Sequence, residues 1–247
     1  MKLEGRTVLV TGATAGIGAA MVDQLLAKGC AVIACGRQQA ALDALARKPG
    51  VTVFALDLQD PASIAQLVAE VRARHPALSV LINNAGIQHE IDIAQTPLAR
   101  TLEVSAIETA VNYSGPIALT LQLLDVLRAQ PQAAVVNVTT PLAMSPKRSS
   151  PFYSATKSGL RAFTRALRYQ CDRDLPALAI VEAQPPLVDT GMTRGRGTGK
   201  ISPEAAAAGI LRGIERGQRE ILVGKARILF FLSRWLPPVA EAITRRW

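Results

Sequence analysis

Tyr153 and Lys157 stand four residues apart in the stretch Tyr-Ser-Ala-Thr-Lys. On a helix that spacing puts both side chains on one face. An ammonium beside a phenol favours phenolate and draws its pKa toward the working range, as general acid-base catalysis requires. The same spacing occurs on ordinary amphipathic helices, so the pair takes its meaning from its surroundings. Far upstream lies Thr11-Gly12-Ala13-Thr14-Ala15-Gly16-Ile17-Gly18, of the form T-G-x-x-x-G-x-G. Backbone without Cβ lets a phosphate approach closely, and the helix that follows aims free N–H groups at it. The turn is a candidate cradle for a dinucleotide pyrophosphate through Thr11, Gly12, Thr14, Gly16, Ile17 and Gly18. A proton-transfer pair with a dinucleotide cradle points to a nicotinamide-dependent oxidoreductase.

Other residues fall where such a site needs them. The second strand should end near the adenosine ribose, where an acid would select NAD. The chain has Gly36-Arg37 there. Glycine leaves space, and arginine can stack on adenine and pair with a 2′-phosphate, so NADP(H) is expected over NAD(H), which is still possible. A solvated loop cation is the plainer reading of Arg37. Asp57, after the third strand, can bond an adenine amino group or cap the next turn. Asn84, Ala85 and Gly86 in the Asn-Asn-Ala-Gly turn leave room for a ribose or ring. Thr140 offers a hydroxyl to a substrate carbonyl. Asn112 sits in a long helical stretch that its propensity does not favour, which suggests a side-chain or backbone role there.

These positions demand a scaffold, and the pattern supplies one. Strand-like runs at Thr7–Val10, Ala31–Ala34, Val51–Leu56, Val80–Ile82, Ala134–Val138, 178–182 and Glu220–Val223 alternate with helical stretches. The helices are expected at Gly16–Lys28, Ala62–Arg74, 97–129, 152–172 and from Ser202 to Arg216, with a mobile loop at Gly191–Lys200. Alternation of this kind implies an α/β fold, a single Rossmann-type doubly wound parallel sheet flanked by helices. Each motif follows a strand, where ligands bind in such sheets.

The chain has 247 residues, 49% apolar and 19% charged, enough for one folded domain over 1–224 with an extension at 225–247. Cys30, Cys35 and Cys171 have no metal-like spacing, no metal-ligand cluster is visible, and a reducing, cytoplasmic setting is expected. The +9 charge admits nucleic acid, but few aromatics and no basic run interleaved with them argue against it.

The motif set resembles the short-chain dehydrogenase/reductase family over about residues 5–224. The resemblance rests on TGATAGIG, NNAG, VNYSG, NVTT, YSATK and PPLVDTGM in the family's order. The stretches INNAGIQ, QPQAAVVNVTT and ATKSGLRAFTRALRYQ are similar to its DltE-type oxidoreductase branch. The resemblance implies a catalytic set of Asn112, Thr140, Tyr153 and Lys157, with Thr140 standing where the family has serine. It implies that Tyr153 exchanges the proton, that Lys157 also binds the nicotinamide ribose, and that Asn112 holds a relay water. It implies that backbone at Val188 holds the nicotinamide carboxamide and that Thr190 lies near the carboxamide or pyrophosphate. Pro186 replaces the family's glycine in that turn and stiffens it.

The expected function is NADP(H)-dependent interconversion of a small-molecule carbonyl and alcohol. The threonine and proline replacements keep open a second reading, a weakly catalytic dinucleotide-binding regulator or scaffold. Gln88, Leu142, Gln184, Met192 and the 193–200 loop are candidates to line the substrate pocket. The resemblance also implies a homodimer or homotetramer joined through the 97–129 and 152–172 helices. The tail from Lys225 to Trp247 is basic and aromatic, with both tryptophans. Packing on the domain or a neighbouring subunit is its expected role, with peripheral contact to an anionic membrane as the less favoured one.

Overall fold

The computed structural model describes residues 1–245, so Trp247 of the tail lies outside the described residues. Seven strands run β1 (Thr7–Thr11), β2 (Ala31–Gly36), β3 (Val51–Ala55), β4 (Leu78–Asn83), β5 (Ala133–Val138), β6 (Leu178–Gln184) and β7 (Glu220–Leu222). All pair in parallel in the order β3-β2-β1-β4-β5-β6-β7. The order reverses between β1 and β4, and that switch point opens a crevice at their carboxyl ends.

Helices cover both faces: α1 (Gly16–Leu26), α2 (Gln39–Ala46), α3 (Pro61–Arg74), α4 (Leu98–Thr109), α5 (Gly115–Gln122), α6 (Leu124–Arg128), α7 (Pro151–Asp174) and α8 (Pro203–Glu215). Successive strand side chains point to opposite faces. Val8, Val10, Val80 and Ile82 therefore meet Met21 of α1 and Ile210 of α8 on one side. Leu9, Leu81 and Val135 meet Leu67 of α3, Leu119 of α5 and Leu167 of α7 on the other. Both faces being covered, the strands read as β-branched runs rather than alternating ones.

The 97–129 stretch is not one continuous helix. α4 passes into a π-helical turn at Ala110–Ser114 before α5 begins. A Cβ on Gly115 would lie 2.8 Å from Leu58 Cβ and 2.9 Å from the Ala110 carbonyl oxygen, so the turn sits tight against the segment after β3. The expected strands lie where the sequence puts them; β1, β2 and β6 run one or two residues further, β4 extends at both ends, β5 starts one residue earlier, and β3 and β7 end one residue sooner. Helix α2 was not anticipated: Leu42 and Leu45 are its only buried residues. Gly191–Lys200 begins as a short 3-10 turn, Gly191–Thr193, and Ile201 then bridges back to Val188.

The tail forms α9 (Ala226–Trp235) and α10 (Pro237–Thr244), separated where the proline pair interrupts the helix. It docks on its own domain. Leu229 and Ala240 are buried, the Arg161 guanidinium stacks 5.6 Å from the Phe230 ring, and the Ser233 and Ser145 hydroxyls bond at 2.7 Å. Ile228, Phe231, Trp235, Leu236 and Val239 stay exposed. Among the described residues no helix is long and apolar enough to cross a membrane.

Candidate active site

The glycine turn is held against the end of β4. Thr11 Oγ1 accepts from the backbone N–H groups of Asn84 and Ala85, each at 3.0 Å, and Asn84 Nδ2 donates to the Thr11 carbonyl at 2.9 Å. Gly12 has φ +65° and Gly16 φ +53°, conformations that favour glycine. A Cβ on Gly12 would lie 2.9 Å from Ala85 Cα, and one on Gly18 2.1 Å from the Gly12 carbonyl oxygen. Thr14 packs over Gly36, and Thr190 lies against Gly16. The turn, the ends of β2 and β4, and the loop after β6 thus converge. No side chain among the described residues caps α1, and its first turn carries no acid. Its N–H groups are left for an anion, so these residues fit a dinucleotide.

Arg37 is exposed beyond β2. The Asp57 carboxylate accepts from Gln59 N–H at 3.0 Å, the turn-capping alternative for this residue. Val188 is buried, and its carbonyl accepts from the Thr193 hydroxyl. Ile17 packs against the core beneath the turn.

The four residues of the expected catalytic set come from three segments, the π turn, the end of β5 and α7. Asn112, in the π turn, is fully buried. Its Oδ1 accepts from Ile87 N–H and its Nδ2 donates to the Ile87 carbonyl, both at 2.9 Å. The side chain therefore clamps the irregular segment after the Asn-Asn-Ala-Gly turn, as a backbone partner would. Lys157, 3% exposed, donates to the Val138 carbonyl at 2.9 Å. A Cβ on Gly86 would sit 3.3 Å from Asn112 Oδ1 and 3.4 Å from Lys157 Nζ, so only glycine keeps this junction open without crowding. The Thr140 hydroxyl lies next to the Tyr153 phenol and accepts from Leu142 N–H at 3.3 Å.

The electrostatics depart from the expectation of a lowered phenol pKa. Burial first, then the carboxylate of Glu108, push Tyr153 up to about 12, while Thr140 and Arg196 pull down. Lys157 Nζ lies 6.0 Å from the Tyr153 ring centroid and is committed to a carbonyl. Burial pulls Lys157 itself down to about 8 from 10.5. Between those values the unfolded chain holds a proton at this site that the folded chain releases. Stability from Lys157 therefore rises with pH across the window and is lowest below 8. The unfolding free energy of wild type, less that of Lys157→Met, is expected to rise by about 3 kcal/mol across it. Urea denaturation at a series of pH values measures this; a flat difference would contradict it.

Two buried groups escaped sequence reading. Glu108, fully buried on α4, accepts from the His89 backbone N–H and meets His89 Nδ1 at 3.0 Å. Burial holds its carboxyl above the usual range. It lies one turn before Asn112 on the same inward face, an acid at an apolar position, and that was the available signal. Glu182 of β6 is also fully buried and pairs with Thr139 at 2.6 Å and with Arg161. Thr139 thus faces the interior while its neighbour Thr140 faces the phenol, as alternation along a strand requires. Of the pocket candidates, Gln88 lines a cleft beside the site. Gln184 is fully buried, and its amide has no partner among the described residues.

Residues 6–200 match the short chain dehydrogenase family model, and the chain belongs to that family. It is accordingly an oxidoreductase of the NAD(P)-dependent dehydrogenase/reductase class. It is 37% identical to the uncharacterized oxidoreductase DltE of Bacillus subtilis (strain 168), over 90% of this chain and 89% of that one. It is 30% identical to the 3-oxoacyl-acyl-carrier-protein reductase FabG of Aquifex aeolicus (strain VF5), over 78% of each. A short chain dehydrogenase from Burkholderia cenocepacia J2315, solved in complex with NADP, superposes with TM-score 0.87 at 25% identity, over 99% of each chain.

Proposed function

We propose that the protein interconverts a small-molecule carbonyl and alcohol with NADP(H), Tyr153 exchanging the proton. The observation that carries this reading is the grouping, beside the dinucleotide cradle, of Asn112 and Lys157 around Gly86 and of Thr140 next to the Tyr153 phenol. Thr11, Gly12, Thr14, Gly16, Ile17 and Gly18 hold the pyrophosphate region, with Arg37 and Asp57 toward the adenosine. Asn84, Ala85, Gly86, Val188 and Thr190 line the nicotinamide end. The bound nicotinamide supplies or accepts a hydride at the substrate carbon.

In reduction Tyr153 gives its phenolic proton to the carbonyl oxygen, and in oxidation it takes one from the alcohol. A phenol with a high pKa is fully protonated at neutral pH, the form reduction needs. Thr140 donates to the same oxygen and orients it. Lys157 supplies positive charge as phenolate character develops, and Asn112 keeps the Ile87 backbone and the lysine in register. A screen of carbonyls and alcohols with NADPH and NADP⁺, beside NADH and NAD⁺, tests the reading. Cofactor consumption with no substrate in the panel would count against it.

The cofactor preference rests on Gly36-Arg37, and the NADP bound by the Burkholderia cenocepacia protein supports it. Arg37→Ala is expected to weaken NADPH binding by about 1.5–3 kcal/mol and NADH binding much less. Equal losses in titrations of the two cofactors would remove Arg37 from the site.

We also infer a homo-oligomer in a reducing compartment. Leu98 and Leu102 on α4 and Tyr169 on α7 are exposed on the helices through which such association is expected. The cysteines are all buried and free. Sedimentation showing only monomer at micromolar concentration would reject the assembly.

A further inference from the structure

A cleft of about 430 Å³ opens between the segment after β4, helix α4 and the loop following Thr193. Gln88 Nε2 bonds Ser150 Oγ at 3.2 Å, tying one wall to the start of the Tyr153 helix. Val104 and Ile91 give that cleft apolar surface, and Arg100, Arg194 and Arg196 give it cationic groups. Its carboxylates are already engaged. Glu90 pairs with Lys147 and lies 3.5 Å from Arg196, and Glu103, at the rim, bonds Arg100 at 2.8 Å. Glu108 is sealed behind the wall, 1% exposed, where it holds His89 in place. Arg194 has no carboxylate partner among the described residues and is exposed. Arg196 is braced by Glu90 and by the Met192 carbonyl. The balance around the cleft is four cations, Lys147, Arg100, Arg194 and Arg196, against the carboxylates Glu90 and Glu103 and the walled-off Glu108.

Guanidinium groups over a partly apolar wall suit an anion at the end of a short carbon body, because carboxylate and phosphate both match the planar fork. A neutral substrate would leave those cations with water alone. Ser150, bonded to the cleft residue Gln88, sits at the start of the helix that carries Tyr153, and Arg196 contributes to the field at the phenol, so a molecule seated in the cleft extends toward the proton donor.

We propose that this cleft binds the anionic end, carboxylate or phosphate, of the carbonyl substrate, with Arg194 as its principal partner and Arg196 as the braced second one. The proposal rests on the carbonyl-reduction reading and names the substrate class for it.

Matched pairs test it. Turnover with NADPH is measured for 4-oxopentanoate against its methyl ester and for dihydroxyacetone phosphate against dihydroxyacetone, in wild type, Arg194→Ala and Arg194→Glu. At least one anion is expected to exceed its neutral partner by about tenfold in kcat/KM. The pair that shows it identifies carboxylate or phosphate. Arg194→Ala should shrink that ratio through KM, and Arg194→Glu should abolish it. Equal kcat/KM within both pairs would overturn the proposal. A loss of NADPH affinity in Arg194→Ala matching the loss of turnover would also do so, since the arginine would then serve the cofactor. If no member of any pair is reduced, the reading of function fails separately. The cleft is then judged by calorimetric titration of 4-oxopentanoate and dihydroxyacetone phosphate into wild type and Arg194→Ala. Heat that Arg194→Ala loses would uphold the anion site, and none in wild type would overturn it.

Discussion

Tyr153→Phe is expected to lower kcat by a factor of about 10²–10⁴ while NADPH still binds, because only the proton donor is removed. The ring stays packed at the start of α7. Lys157 keeps its bond to the Val138 carbonyl, and Asn112 keeps its two bonds to Ile87. The change therefore falls on the chemical step, read as NADPH oxidation, with affinity followed by fluorescence titration. A variant within a few-fold of wild type would mean that another group, or solvent, delivers the proton.

Gly18→Ala is expected to act on binding instead. The added methyl would lie 2.1 Å from the Gly12 carbonyl oxygen and 2.7 Å from Asn84 Nδ2. Neither neighbour is the free end of a flexible chain. One is backbone, and the other is bonded to the Thr11 carbonyl at 2.9 Å. The turn must open, and the strap between β1 and β4 goes with it. Overpacking of this kind costs about 1–3 kcal/mol of stability. Cofactor affinity should fall by at least about tenfold, since the backbone N–H groups no longer converge on one phosphate. Thermal melts with and without NADPH separate the two effects. An unchanged ligand-induced shift would argue against this turn as the phosphate cradle.

The sheet was legible because its strands are buried on both faces and punctuated by glycine turns. Thr7–Val10 and Ala31–Ala34 need no tertiary information to be read as strands. The site was legible through its unusual residues: glycines where backbones touch, a Tyr–Lys pair on one helix face, and an asparagine where a helix disfavours one. That asparagine marks the π turn, but its form was out of reach. The turn depends on Ile87 lying opposite Asn112 and on Leu58 crowding Gly115, both contacts across the fold. Glu108 and Glu182 were missed for the same reason. A buried carboxylate is recognised by its partners, His89, Thr139 and Arg161, which lie 19 to 43 residues away in sequence. The lysine's effect on the phenol followed from helix spacing alone, and the Val138 carbonyl, which draws the ammonium aside, cannot be seen from there. The tail packs on its own domain through Leu229, Phe230 and Ser233, while the alternate face of α9 stays open. Composition reveals the amphipathic helix but not which face docks.

Single-turnover hydride transfer decides the central claim. Enzyme in excess over NADPH carrying deuterium at nicotinamide C4 is mixed with a panel of carbonyl compounds. The alcohol formed is then analysed for label at the former carbonyl carbon. Stoichiometric transfer of the label from one face of the ring is expected, fast in wild type and slowed by at least about a hundredfold in Tyr153→Phe. NADPH bound tightly with no label transferred to any carbonyl, in either protein, would show a dinucleotide-binding protein without the proposed chemistry.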